Sequence, residues 1–113
     1  MASHSFGEII TLDFPYSHHR SGKKRPAMIV AQDAEGDIVV ARITSRPKSL
    51  PSDLFLQDWN KAGLNTPSYL RLSKIVTIVE EDILSSIGHL SESDRSNAYE
   101  ANIQFARSHR DEK

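Results

Sequence analysis

Along most of this chain apolar residues either alternate with polar ones or gather into short β-branched runs; helical spacing shows only near the C-terminus. In residues 8–14, Ile10, Leu12 and Phe14 share one parity and Ile9, Thr11 and Asp13 the other, which predicts a first strand. A polar stretch, residues 15–24, carries His18, His19 and Gly22 and predicts a loop. The runs Ala27-Met28-Ile29-Val30-Ala31 and Ile38-Val39-Val40-Ala41-Arg42-Ile43-Thr44 flank a polar turn at 33–37 that contains Gly36, and together they predict a hairpin. Pairing centred near Glu35 sets Arg25 opposite Thr44 and Ser45, at the hairpin's open end.

Pro47 and Pro51 interrupt regular structure, residues 53–57 suit a short edge strand, and 58–63 suit one helical turn closed by Gly63. The longest alternating run is 69–79. There Leu70, Leu72, Val76 and Ile78 form the core parity, so Tyr69, Arg71 and Ser73 face out. In the third strand Val39, Ala41 and Ile43 make the better core parity, which turns Arg42 and Thr44 outward. Residues 81–86 suggest a brief helix and 87–90 a last short strand. Ser91 with Asp94 resembles a capping box that opens a terminal helix. Tyr99, Ile103 and Ala106, beside Phe105, give that helix its apolar face. Residues 1–5 and 108–113 are expected to be flexible ends of a single domain spanning 1–113. A strand set this short curls most easily into a small half-open barrel, so the class is mainly β (α+β).

Composition narrows the chemistry. The chain has 113 residues and no cysteine, which excludes a disulfide framework and thiolate catalysis. No apolar run approaches membrane-spanning length and no hydrophobic signal segment opens the chain, so a soluble cytoplasmic protein with no membrane association is expected. Net charge is −1, so nucleic acid must be met by a local patch. Arg20, Lys23, Lys24, Arg25, Arg42, Arg46 and Lys48 supply one, holding seven of the 14 basic residues. The acids Asp33, Glu35 and Asp37 gather at the other end of the same hairpin. On composition alone these charges also read as the solvated edge of a sheet. Adjacent His18 and His19 diverge in extended backbone with no acidic partner nearby, so neither a metal site nor any other cofactor is expected. Arg25, Thr44 and Arg71 could line one open surface, with residues 15–24 as its lid.

Five pieces, in order, carry a resemblance: Gly7-Glu8-Ile9, Gly22 with Arg25-Pro26, Ile43-Thr44-Ser45, Arg71-Leu72 with Thr77-Ile78, and Ile87-Gly88-His89-Leu90-Ser91. Together they resemble the MazF/PemK toxins of type II toxin–antitoxin systems, from Phe6 to the terminal helix. The resemblance implies an SH3-like, PemK-like barrel, a homodimer, and metal-independent, sequence-selective cleavage of single-stranded RNA. It also implies silencing by a cognate antitoxin, expected to be a short DNA-binding protein with a disordered acidic tail. Arg25 and Thr44 match the family's central catalytic pair. His19 stands where some members carry a loop histidine. Arg71 matches the first residue of a later Arg–Asp pair, but Ser73 replaces the second and removes a carboxylate.

The chemistry fits those residues. Metal-free RNA cleavage takes a proton from the 2′-OH, gives one to the leaving 5′-oxygen, and needs a cation beside the phosphorane. A guanidinium matches two phosphate oxygens, and among the matched groups histidine alone titrates near neutrality. Threonine is a poor base, so Thr44 reads as orienting the phosphate or relaying a proton. The candidate catalytic residues are Arg25, Thr44 and His19, and the candidate RNA contacts Lys23, Lys24, Ser45, Arg46, Arg71 and Ser73. The alternatives are a non-catalytic barrel resembling the gyrase-poisoning toxin CcdB, and an SH3-like RNA-binding or adaptor module.

Overall fold

The apolar runs become strands of one sheet. The structure, a computed structural model, describes residues 4–13, 24–47 and 53–110. Strands β1 (Glu8–Leu12), β2 (Arg25–Gln32), β3 (Ile38–Thr44), β4 (Asp53–Phe55), β5 (Tyr69–Ile78) and β6 (Ile83–His89) precede helix α1 (Glu92–Arg110). They pair antiparallel in the order β4-β5-β3-β2-β1-β6, with β4 and β6 as edges, so the sheet does not close. The mainly β class with a terminal helix is the one the alternation predicts.

The hairpin register is also the expected one, since Ala27 faces Arg42 and Met28 faces Ala41. At the tip, Asp33 Oδ1 accepts the backbone N–H groups of Glu35 and Asp37, each at 2.9 Å, and Gly36 takes φ +97°.

The core differs from the single face that strand parity suggested. Ile9, Met28, Ala41, Ile43, Leu70 and Leu72 pack on one face with Leu56, Ala62, Leu64, Leu90 and Ala98. Ile10, Leu12, Ala27, Ile29, Ile38, Val40 and Ile78 form a second cluster on the other face. The central strands are therefore apolar on both sides, which explains their continuous β-branched runs. A bulge splits β5, because Arg42 pairs with Arg71 while its neighbour Ala41 pairs with Ile75. The odd number of extra residues on β5 flips its faces. Leu70 and Leu72 thus point to the helix side and Val76 and Ile78 to the other, although all four share a parity.

Other expectations change in part. The stretch 81–86 is helical only at its start: a 3₁₀ turn at Glu80–Asp82 leads directly into β6 from Ile83. The insert before β5 does make the expected single turn: Ala62 N–H bonds Asp58 O, Leu64 N–H bonds Trp59 O, and Gly63 closes it at φ +93°. A side chain at Gly63 would strike the Ile87 carbonyl, so the insert lies backbone to backbone on β6. The buried stripe of α1 runs through Asp94, Ala98, Ala101 and Phe105, while Tyr99 is 56% exposed and meets Phe6 edge-on. Ser91 does cap α1, its Oγ accepting the Asp94 N–H at 3.1 Å. The Asp94 carboxylate does not return that bond; it accepts Gln57 and Asp58 N–H at 3.0 and 2.7 Å and ties the insert to the helix. His4, in the stretch expected to be loose, bridges Glu8 at 2.9 Å and Glu80 at 2.8 Å. At the other end α1 continues to Arg110 through the start of the segment expected to fray.

Candidate RNA-cleavage site

The basic end of the sheet is built by one cross-strand rung. Ala27, Arg42, Arg71 and Asp53 face one another across β2, β3, β5 and β4. Side chains directly opposite in an antiparallel sheet share a face, and residues two apart along a strand share it as well. Arg25 and Thr44 therefore lie on the face of Arg42, and extending the β2–β3 register by two residues sets them across from each other. Arg25 is exposed and starts β2; Thr44 is half-buried and ends β3. The paired rungs end at Ala27–Arg42, so the two residues share a face as expected, one step beyond the last paired rung.

Thr44 is held in place. Its Oγ1 accepts the Arg46 N–H at 3.1 Å, and its own proton has the Arg46 carbonyl at 3.5 Å, the long limit of a hydrogen bond. The hydroxyl is thus oriented by the bend after β3 while its proton is easily given to a better acceptor. Ser45 and Arg46 are exposed on that bend, and Lys24 is exposed just before β2.

Arg71 departs from the expected outward position. It is 5% exposed, its Nε donating to Asp53 Oδ1 at 3.1 Å and its Nη2 to Asp53 Oδ2 at 3.4 Å and to the Arg46 carbonyl at 3.3 Å. Three of its contacts close around it, so it braces the bend that orients Thr44. Pairing of β4 with β5 brings this carboxylate in, and the sequence alone did not reveal that pairing. Ser73 is exposed within the β5 bulge, outside the rung. His19 and Lys23 lie outside the described residues, as do His18, Arg20 and Lys48.

Arg42, which the sequence placed in the basic patch and facing out but not among the candidate site residues, lies on this face too. It is half-buried, and its pKa is lowered, first by burial and then by the charges of Arg25 and Arg71. The signal was present in the Arg42-Ile43-Thr44 order, which sets a third arginine on the face of Arg25 and Thr44. Among the described residues, no group of three or more His, Asp or Glu has metal-holding geometry, and no helix is long and apolar enough to cross a membrane.

Solved structures of other proteins share the fold. None of the curated proteins compared matches the chain. An endoribonuclease in complex with its cognate antitoxin, from Mycobacterial species, aligns with TM-score 0.70 and 17% identity, over 88% of this chain and 91% of its own. The Mycobacterium tuberculosis toxin MazF-mt6 aligns with TM-score 0.68 and 24% identity, over 86% and 93%. A MazE–MazF structure from Deinococcus radiodurans aligns with TM-score 0.67 and 14% identity, over 94% and 96%. At these identities the likeness is one of fold. The family profile described as PemK-like, MazF-like toxin of type II toxin-antitoxin system matches residues 5–104, and the chain belongs to that family.

Proposed function

We propose that this toxin is a metal-independent endoribonuclease that cuts single-stranded RNA, mRNA included, at selected sequences in the cytoplasm. The observation that carries the reading is that Arg25 and Thr44, at the adjoining ends of β2 and β3, share one cationic face. The Arg25 guanidinium can bind two oxygens of the scissile phosphate and stabilise the charge that grows on the phosphorane. The Thr44 hydroxyl, fixed by the Arg46 N–H, donates to a phosphate oxygen or relays a proton. His19 is the proposed titrating group, Lys23, Lys24, Ser45, Arg46 and Ser73 are the proposed RNA contacts, and of these Lys24, Ser45, Arg46 and Ser73 are exposed. Arg71 acts by holding the Arg46 carbonyl rather than by touching RNA.

Family membership supports a cognate antitoxin, and the cationic face fits an acidic segment that folds over Arg25 and competes with RNA. A homodimer is part of the same reading. Edge strand β6, with Leu84 51% exposed, leaves apolar surface to be covered. The gyrase-poisoning and adaptor alternatives have no observation in their favour.

Incubation of the purified toxin with unstructured RNA in EDTA tests the proposal. The expected products carry a 2′,3′-cyclic phosphate and a 5′-hydroxyl. RNA that stays intact with and without divalent metal would overturn the nuclease reading; cleavage abolished by EDTA alone would overturn its metal-free form.

A further inference from the structure

Three arginines, Arg25, Arg42 and Arg71, share the face that carries Thr44, but they are not equivalent. Arg71 is closed off by Asp53 and the Arg46 carbonyl and is 5% exposed. Arg42, its cross-strand neighbour, is half-buried and shares the face of Arg71 and Arg25. We infer that Arg42 is a second phosphate anchor, gripping an RNA backbone phosphate next to the one held by Arg25. The inference rests on the nuclease reading and adds to it a binding residue.

The physical case has two parts. Arg42 is flanked on its own face by two like charges, and those charges together with burial depress its pKa, so an entering anion relieves repulsion as well as forming hydrogen bonds. Second, the hairpin register separates Arg25 and Arg42 by one rung on the same face. Antiparallel neighbours are about 5 Å apart and residues two apart along a strand about 7 Å. Successive phosphates of an extended single strand are separated by a similar distance, so two guanidinium groups can take two adjacent phosphates. Arg71, the arginine that family resemblance places on the RNA, is then a brace, and its anion-binding duty falls to Arg42.

The test uses a short single-stranded oligonucleotide carrying a 2′-deoxy block at each position, so that it binds without being cut, titrated at several salt concentrations. For a single strand each phosphate contact contributes about 0.7 to the slope of log affinity against log salt. Arg42→Gln is expected to lose on the order of tenfold in affinity and to flatten that slope by about 0.7. Arg42→Lys is expected to keep the slope while losing part of the affinity, because it keeps the charge without the fork. Thermal melting checks folding, and if Arg42→Gln fails to fold, Arg42→Lys against wild type carries the test. Wild-type affinity and slope in Arg42→Gln, or a flattened slope in Arg42→Lys, would overturn the proposal while leaving the nuclease reading intact. An acidic peptide whose binding depends on Arg42 when RNA binding does not would also overturn it. Wild-type toxin that neither binds the oligonucleotide nor cuts RNA would remove the nuclease reading itself, and this proposal with it.

Discussion

The two halves of the sheet's basic end handle the same side chain in opposite ways. On the β4–β5 side, Arg71 is buried, forked onto Asp53 and bonded to a backbone carbonyl. On the β2–β3 side, Arg25 opens its strand in solvent and Arg42 lies half-buried beside it. A buried guanidinium has its charge matched in advance and can only hold structure; an exposed one keeps its donors for a ligand. One sheet thus sets a braced arginine beside an open one, and the proposed chemistry falls to the open side.

Breaking the closed side should do the most damage to the fold. Asp53→Ala leaves the Arg71 charge buried without its carboxylate, and such removal costs about 3–5 kcal/mol. Urea denaturation should report that loss; a loss under 1 kcal/mol would mean that the pair is solvated. The Asp94 carboxylate is a second closed charge, 1% exposed and accepting two N–H groups of the insert. Asp94→Ala should cost about 1–3 kcal/mol, because two part-buried N–H groups lose a charged acceptor and the buried side chain leaves a gap. Faster amide exchange at Gln57 and Asp58 is the local signature to look for.

How much of this was legible in the sequence depends on whether a feature is local. The hairpin, its register and the face shared by Arg25 and Thr44 follow from β-branched runs around one Gly-containing turn, so short-range pattern sufficed. The face of Arg71 was not readable, because the β5 bulge and the β4–β5 pairing are both non-local and together decide what covers it. The reading of residues 81–86 as helix held only at its start for a related reason. Glu81, Asp82 and Leu84 favour a helical turn, but pairing with β1 draws the chain into a strand from Ile83. The stripe on α1 was misplaced by giving Tyr99 more weight than the small Ala98, which packs against the sheet because it is small.

A smaller effect is expected at the far end of the sheet, where charges are closed by a group that titrates. His4 is raised above its ordinary 6.5, mainly by its hydrogen bond to Glu8, against the opposing effect of burial and with help from Glu80. Glu8 is lowered from 4.5; burial, the largest single influence, pushes it up, but His4, Ser86 and the charge of His89 together outweigh it. Stability from His4 is therefore full below pH 6.5 and is lost as pH rises through its raised value. Stability from Glu8 is present above pH 4.5 and is lost as pH falls through its lowered value. The clamp holds best between those limits. His4→Gln should flatten the fall in melting temperature above pH 6.5, and an unchanged profile would mean that another group sets it.

The most direct test of the division between bracing and chemistry is single-turnover cleavage of one unstructured RNA, with rates taken per folded molecule. The variants to compare are Arg25→Ala and the double variant Asp53→Leu with Arg71→Leu. Replacing both members of a buried ion pair by apolar residues is often neutral or stabilising, so the double variant should fold. Arg25→Ala should slow cleavage on the order of 100-fold or more while melting like wild type. The double variant should cut at least about tenfold faster than Arg25→Ala, having lost a brace and kept the phosphate fork. An Arg25→Ala toxin that cuts as fast as wild type, or a folded double variant slower than Arg25→Ala, would contradict this account.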